Sequence, residues 1–196
     1  METSTRTRVL ERMLNSDQKP RTHTPATPYQ RALKAAMEWL ATKDHVLFLG
    51  QSVGCPGTRM SHTLVDIPLD RRVECPVAEE LQLGTSIGLS LQGFLPVSIY
   101  PRWNFLLLAA NQLVNHLDRI PLYSEFRPKV IIRTAIGASK PLDPGPQHQD
   151  DFTEAFQLMF KTVRIVRLEA SDEIEPAYRR AFAADYSTIL VEHGDL

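Results

Sequence analysis

The sequence predicts an α/β domain of three layers, a mostly parallel sheet with helices on both faces. Three observations carry that expectation. Strand-like apolar runs alternate with helix-periodic segments from residue 28 to the end. The run Val46-Leu47-Phe48-Leu49-Gly50 is apolar without alternation, the pattern of a strand covered on both faces. A chain of 196 residues is long enough for one well-buried domain and too short for two ordinary ones.

The elements follow in order. Residues 1–27 form a polar N-terminal arm punctuated by Pro20 and Pro25, in which Val9, Leu10, Met13 and Leu14 would share one side of a short helix. Such an arm is expected to be flexible, or to dock only on a partner. The folded part spans 28–196. It opens with Thr27-Pro28, a capping hydroxyl followed by proline at the first helical position, after which Ala32, Leu33, Ala36, Met37 and Leu40 recur at helical spacing. Beyond the strand at 46–50, helices are expected over 79–92, 105–119, 151–159 and 171–185. Strands are expected over 96–100, 129–136, 164–168 and 188–192, and a short segment over 71–75 leads into the helix headed by Glu79. There is no internal repeat.

Composition narrows the function classes. Hydrophobic residues make up 43% and charged residues 23%, and the net charge of −1 carries no block of one sign. Nothing therefore points to nucleic acid or to an anionic membrane surface. The two cysteines, Cys55 and Cys75, are too few for a disulfide framework and lack metal-ligand spacing. No apolar run reaches membrane-spanning length and the N-terminus has no secretory apolar core, so a cytoplasmic protein is expected.

In parallel sheets, sites form beyond the carboxyl ends of the strands. The segments 50–52, 100–104 and 137–148 all follow strands in this way. Glu79 stands at the head of its helix, where a carboxylate also simply complements the helix dipole. The helix continues through Gly84, Ser86, Gly88 and Ser90. Glycine inside a helix costs roughly 1 kcal/mol relative to alanine, so two of them suggest a smooth face that another helix approaches. Phe105 is either the first core residue of its helix or a ring that stacks on a planar heterocycle. His148 lies in a loop stiffened by Pro141, Pro144 and Pro146, where an imidazole is either solvated or held for proton transfer. His116 and His193 read as structural. A phosphate-gripping Gly-rich loop with lysine, a Gly-x-Ser-x-Gly elbow, a His-Glu-x-x-His motif and a metal-ligand cluster are all missing, which leaves hydrolase and metal-centre readings unsupported.

The carriers of a family resemblance are Val46-Leu47-Phe48-Leu49-Gly50, Pro76-Val77-Ala78-Glu79, Gly84, Gly88, Gly93 through Val97, Asn104-Phe105, Asn111 through His116, Gly145-Pro146-Gln147-His148 and Leu190 through His193. In this order they resemble the beta subunit of thiamine diphosphate-dependent 2-oxo-acid dehydrogenases, and more widely the transketolase-like pyrimidine-binding domain. The resemblance implies the thiamine diphosphate-binding fold. It implies that Glu79 pairs with the pyrimidine ring nitrogen of the cofactor, that Phe105 stacks on the aminopyrimidine, and that His148 sits near the reacting carbon as a catalytic group beside Glu79. It also implies thiamine diphosphate as cofactor, with the diphosphate and its Mg2+ held by a separate alpha-type subunit, and a heterotetramer of two alpha and two beta chains. The chemistry implied is decarboxylation of a 2-oxo acid with acyl or aldehyde transfer. Ketol transfer of the transketolase kind or carboligation is the alternative, and a non-catalytic assembly or regulatory subunit is the alternative of another class. Arginines that recognise phosphate would favour sugar phosphates, with Arg102 and Arg133 as candidates. The sequence departs from the family pattern in three places: the C-terminal domain is absent from it, Gln51-Ser52 replaces the usual acidic pair after the first strand, and 121–127 replaces a Gly-rich segment.

Overall fold

A computed structural model of the chain describes residues 27–54, 58–137 and 143–196. In chain order the elements are α1 (Pro28–Ala41), β1 (Val46–Gly50), a single-turn α2 (Arg59–His62), β2 (Arg72–Glu74), α3 (Glu79–Leu91), β3 (Leu95–Ile99) and an irregular helix that starts as α4 (Trp103–Leu106). They continue with a single-turn α5 (Ile120–Tyr123), β4 (Ile131–Ile136), α6 (Thr153–Met159), β5 (Arg164–Arg167), α7 (Ser171–Ala183) and β6 (Thr188–His193). The six strands form one sheet in the order β2-β1-β3-β4-β6-β5, and every pairing is parallel. The three-layer expectation therefore holds, with a sheet parallel throughout.

Each face of the sheet carries its own core. On one face α1 and α7 bring Met37, Leu40, Ile174 and Tyr178 against Phe48, Val97, Ile131 and Leu190. On the other, α3, the irregular helix and α6 bring Leu83, Trp103, Leu113 and Phe156 against Ile132, Ile189 and Val191. Neighbours such as Ile131 and Ile132 thus serve opposite cores, and this is why the strands read as unbroken apolar runs. The start of α1 is as expected: Gln30 N–H donates to Thr27 Oγ1 at 3.1 Å, and Pro28 occupies the first turn.

One charged pair crosses this core. Arg133 of β4 donates through Nε to Glu192 Oε1 at 2.6 Å and through Nη2 to Oε2 at 3.0 Å, and through Nη1 to Thr63 Oγ1 at 3.1 Å. The Tyr178 hydroxyl donates to Glu192 Oε1 at 2.8 Å. Both charges are buried, with Arg133 fully so. Burial alone would lower the proton affinity of Arg133, but the Glu192 charge more than offsets it and holds the guanidinium above its ordinary range. Burial, joined by that same carboxylate, pushes the Tyr178 phenol well up, so it stays a neutral donor.

The structure refines the expected elements in three places. The helix expected over 105–119 starts at Trp103 and changes pitch, with a tight turn over Leu107–Ala109 and a π-helical stretch over Gln112–Leu117. At its end Asp118 N–H donates to Leu113 O at 3.1 Å, an i→i−5 bond, and the Asp118 side chain is buried. Its carboxylate there accepts the backbone N–H groups of Lys161, Thr162 and Val163 at 2.7–2.9 Å. Hydrophobic spacing carries no trace of a pitch set by a distant loop. The segment over 71–75 becomes the edge strand β2. The unanticipated α2 is held by a reciprocal cap between Thr58 and Ser61. Residues 1–26 of the expected arm lie outside the described residues, as does Cys55.

Removing one partner of a buried ion pair strands the other, at a cost of roughly 3–5 kcal/mol. Glu192→Leu is expected to lose about that much stability in urea unfolding, whereas the double variant Arg133→Met/Glu192→Leu recovers most of it.

Candidate active site

The site begins where β1 ends. A side chain at Gly50 would place its Cβ 2.7 Å from Ile99 O, so only glycine lets β1 run this close to β3. Two residues on, Ser52 adopts φ 58°, the left-handed region. The carboxylate of Glu74, at the end of β2, stabilises that turn by accepting Ser52 N–H and Gly54 N–H, each at 2.6 Å. Between them Gln51 is turned toward α3, and its Nε2 donates to Glu79 Oε1 at 3.1 Å.

Glu79 is the first residue of α3 and is 6% exposed. The residue before it, Ala78, offers no capping side chain, so carboxylates supply the negative charge at this helix start. The Glu79 carbonyl accepts the Tyr100 hydroxyl at 3.3 Å. Burial pushes the Tyr100 phenol up against the opposing pull of its Ser98 hydrogen bond, so Tyr100 also remains a neutral donor. One turn along α3, Gln82 Nε2 donates to Ser98 Oγ at 3.1 Å and Ile99 O at 3.0 Å, fastening the helix to β3. Among the described residues, Glu79 Oε2 has no hydrogen-bond partner.

Phe105 and His148 meet beyond the carboxyl ends of β3 and β4. Phe105 is half-buried in α4, and its ring centroid lies 5.4 Å from that of His148 at an interplanar angle of 57°. His148 closes a single tight turn (Pro146–His148) after Gly145 at φ 74°. Arg102 Nη1 donates to Gly137 O at 2.9 Å and His148 O at 3.0 Å, holding both ends of the loop after β4 against α4. His148 Nδ1 is buried and has no hydrogen-bond partner among the described residues.

A cavity of about 360 Å³ opens at this edge, lined among others by Gln51, Ser52, Arg59, Arg102, Phe105 and Glu192. Of the three residues singled out in the sequence, the structure brings Phe105 and His148 into ring contact. Glu79 has no hydrogen bond or ring contact with either, and Gln51 is its link to the cavity that Phe105 lines. Sequence reasoning treated Gln51 only as a departure from the family pattern. No local signal marks it, because its partner is 28 positions away. Of the two candidate arginines, Arg102 lines the cavity, while Arg133 is spent on Glu192 and Thr63. Among the described residues no three His, Cys, Asp or Glu side chains could hold a metal ion, and no helix is long and apolar enough to cross a membrane.

The helix expected to show a smooth face divides its small residues between two sides. Ser86 turns inward and donates to Gln82 O at 2.9 Å, and Ser90 Oγ accepts Lys129 N–H at 2.6 Å. A Cβ at Gly84 would meet only the Gln112 side chain at an ordinary 3.8 Å, and one at Gly88 would meet nothing within 4 Å. Packing among the described residues requires neither glycine.

No family model matches the chain. The beta subunit of the pyruvate dehydrogenase E1 component from Cyanidium caldarium is 32% identical over 169 residues, covering 83% of this chain and 50% of that protein. The chloroplastic subunit beta-3 from Arabidopsis thaliana is 29% identical, covering 83% and 41%. The beta subunit of 3-methyl-2-oxobutanoate dehydrogenase from Mycobacterium tuberculosis is 29% identical, covering 71% and 41%. The chain resembles the beta subunits of 2-oxo-acid dehydrogenases. It spans half or less of the length of these beta subunits. The fold is the one seen in transketolases. The Campylobacter jejuni transketolase matches with a TM-score of 0.62 at 18% identity, covering 96% of this chain and 30% of that one. An inactive beta4 tetramer of a split-gene transketolase matches with a TM-score of 0.61 at 16% identity, covering 84% and 49%. The beta-subunit likeness rests on sequence, and the transketolase likeness on fold.

Glycine relieves a left-handed backbone that costs other residues roughly 1–2 kcal/mol. Ser52→Gly is expected to leave the melting temperature unchanged or raised, and Ser52→Val to lower it by several degrees in calorimetry.

Proposed function

We propose that this chain is the pyrimidine-binding half of a two-component thiamine diphosphate-dependent enzyme, which decarboxylates a 2-oxo acid and passes the acyl or aldehyde fragment to an acceptor. The observation that carries this reading is the buried Glu79 carboxylate at the head of α3, with one oxygen held by Gln51 and the other without a partner among the described residues. The residues fit an aminopyrimidine: an acid oxygen for a ring nitrogen, an aromatic ring beside the cavity, and an imidazole with an unpartnered buried nitrogen. When bound, thiamine diphosphate supplies the carbon nucleophile and the electron sink for decarboxylation.

In this proposal each residue has one task. Glu79 shares a proton with the ring nitrogen at Oε2, and its burial strengthens that hydrogen bond by excluding water. Phe105 fixes the ring plane by stacking, worth roughly 0.5–1.5 kcal/mol beyond burial. His148, whose ring leans on Phe105, offers Nδ1 for proton transfer near the substrate carbonyl. The diphosphate and its Mg2+ belong to an alpha-type subunit in an assembly of two alpha and two beta chains. The curated relatives, which are named as beta subunits, support such a partner. So does the open space at Gly88, on the face of α3 that also exposes Leu81 and Leu91.

Ketol transfer remains a second reading because Arg59 and Arg102 both line the cavity and could recognise a sugar phosphate. Turnover of pyruvate against xylulose 5-phosphate by the co-purified complex separates the two.

Glu79→Gln is expected to abolish turnover, by at least about a thousandfold, while leaving subunit assembly intact in size-exclusion chromatography; an active variant sinks the mechanism. Gly88→Ala should raise the melting temperature of the isolated chain, since alanine favours the helix by roughly 1 kcal/mol. In the same variant, affinity for the alpha-type subunit should fall, as read by calorimetric titration.

A further inference from the structure

We propose that Gln51 is the positioning residue for Glu79, and that Glu74 in turn sets Gln51 through the backbone of the β1 loop. The proposal rests on the reading of Glu79 as the acid that faces the cofactor. A glutamate side chain at a helix start has three rotatable bonds, and its two oxygens are equivalent until something distinguishes them. Here the Gln51 amide does so: Nε2 takes Oε1 at 3.1 Å and leaves Oε2 for a ligand. The two carboxylates at the end of β2 and the head of α3 thus have opposite roles. Glu74 accepts two backbone N–H groups and holds a loop, while Glu79 accepts one side-chain amide and is itself held.

The loop keeps a conformation that serine ordinarily avoids. Ser52 at φ 58° persists because Glu74 accepts both Ser52 N–H and Gly54 N–H at 2.6 Å. Backbone strain held by a charged clamp immediately beside Gln51 is what fixes the direction of its side chain. Glutamine also suits this task. It carries no charge and presents an N–H to a carboxylate, whereas an acid at 51 would set two carboxylates against each other. A positioning hydrogen bond to a charged group commonly changes a rate by about ten- to a hundredfold when it is removed.

The test uses the complex of this chain with its co-purified partner, loaded with thiamine diphosphate. Gln51→Leu removes the donor at similar volume, and Gln51→Glu replaces it with an acceptor. Both are expected to assemble and to bind the cofactor within about threefold of the parent affinity, because the diphosphate is gripped elsewhere. Their kcat is expected to fall about ten- to a hundredfold with KM nearly unchanged. In parallel, the circular-dichroism band of the bound cofactor's imino form should weaken, a change that a merely structural role would not produce. Glu74→Ala, which removes the loop clamp, is expected to move both readouts in the same direction by a smaller factor. Parent-like kcat and band in Gln51→Leu overturn the proposal. If Gln51→Leu fails to assemble, Gln51→Glu decides on the same two readouts. Glu79→Gln separates the two levels: its inactivity beside a parent-like Gln51→Leu overturns the positioning role alone, and its activity overturns the reading of Glu79 as well.

Discussion

The bidentate pair between Arg133 and Glu192 is the interaction on which the site edge of the sheet depends. It joins β4 to β6 inside the core, takes in Thr63 at the foot of α2 and receives the Tyr178 hydroxyl from α7. Four segments far apart in sequence are thereby held to one geometry, and Glu192 lines the cavity. A buried pair is a modest source of net stability, because desolvation offsets much of its attraction. Its value is directional: a planar guanidinium and a planar carboxylate meet in one register only.

Around that fixed edge, several polar side chains hold backbone. Glu74 holds the loop after β1, Arg102 the ends of the loop after β4, Asp118 the loop before β5, and Gln82 the start of α3 against β3. Loops at the carboxyl edge of a parallel sheet have no ladder of their own, so their N–H and C=O groups need such partners. Rigid support beneath a few free polar atoms is what a site must have if it is to present an acid oxygen and an imidazole nitrogen in fixed places.

The outer surface has a different character. Leu81, Leu107 and Leu108 are exposed along α3 and the irregular helix, and the two helical glycines of α3 have no neighbour among the described residues that requires them. A helix weakened at two positions without return among the described residues is one place where local propensity and packing depart from consistency.

By itself, the sequence determined the sheet, because strands buried on both faces must be continuously apolar and helices on a sheet must repeat their apolar residues every three or four positions. It also singled out Glu79, Phe105 and His148, since each stands at the end of an element and matches a known residue order. Tertiary structure alone decided what those residues touch. The link from Gln51 to Glu79, the contact between Phe105 and His148, the change of pitch before Asp118 and the engagement of Arg133 all join positions from 28 to 59 residues apart, or depend on such a pairing. Periodicity records which face of an element is buried. It holds no information on which distant polar atom completes a hydrogen bond there, because that is set by the packing of whole elements against one another.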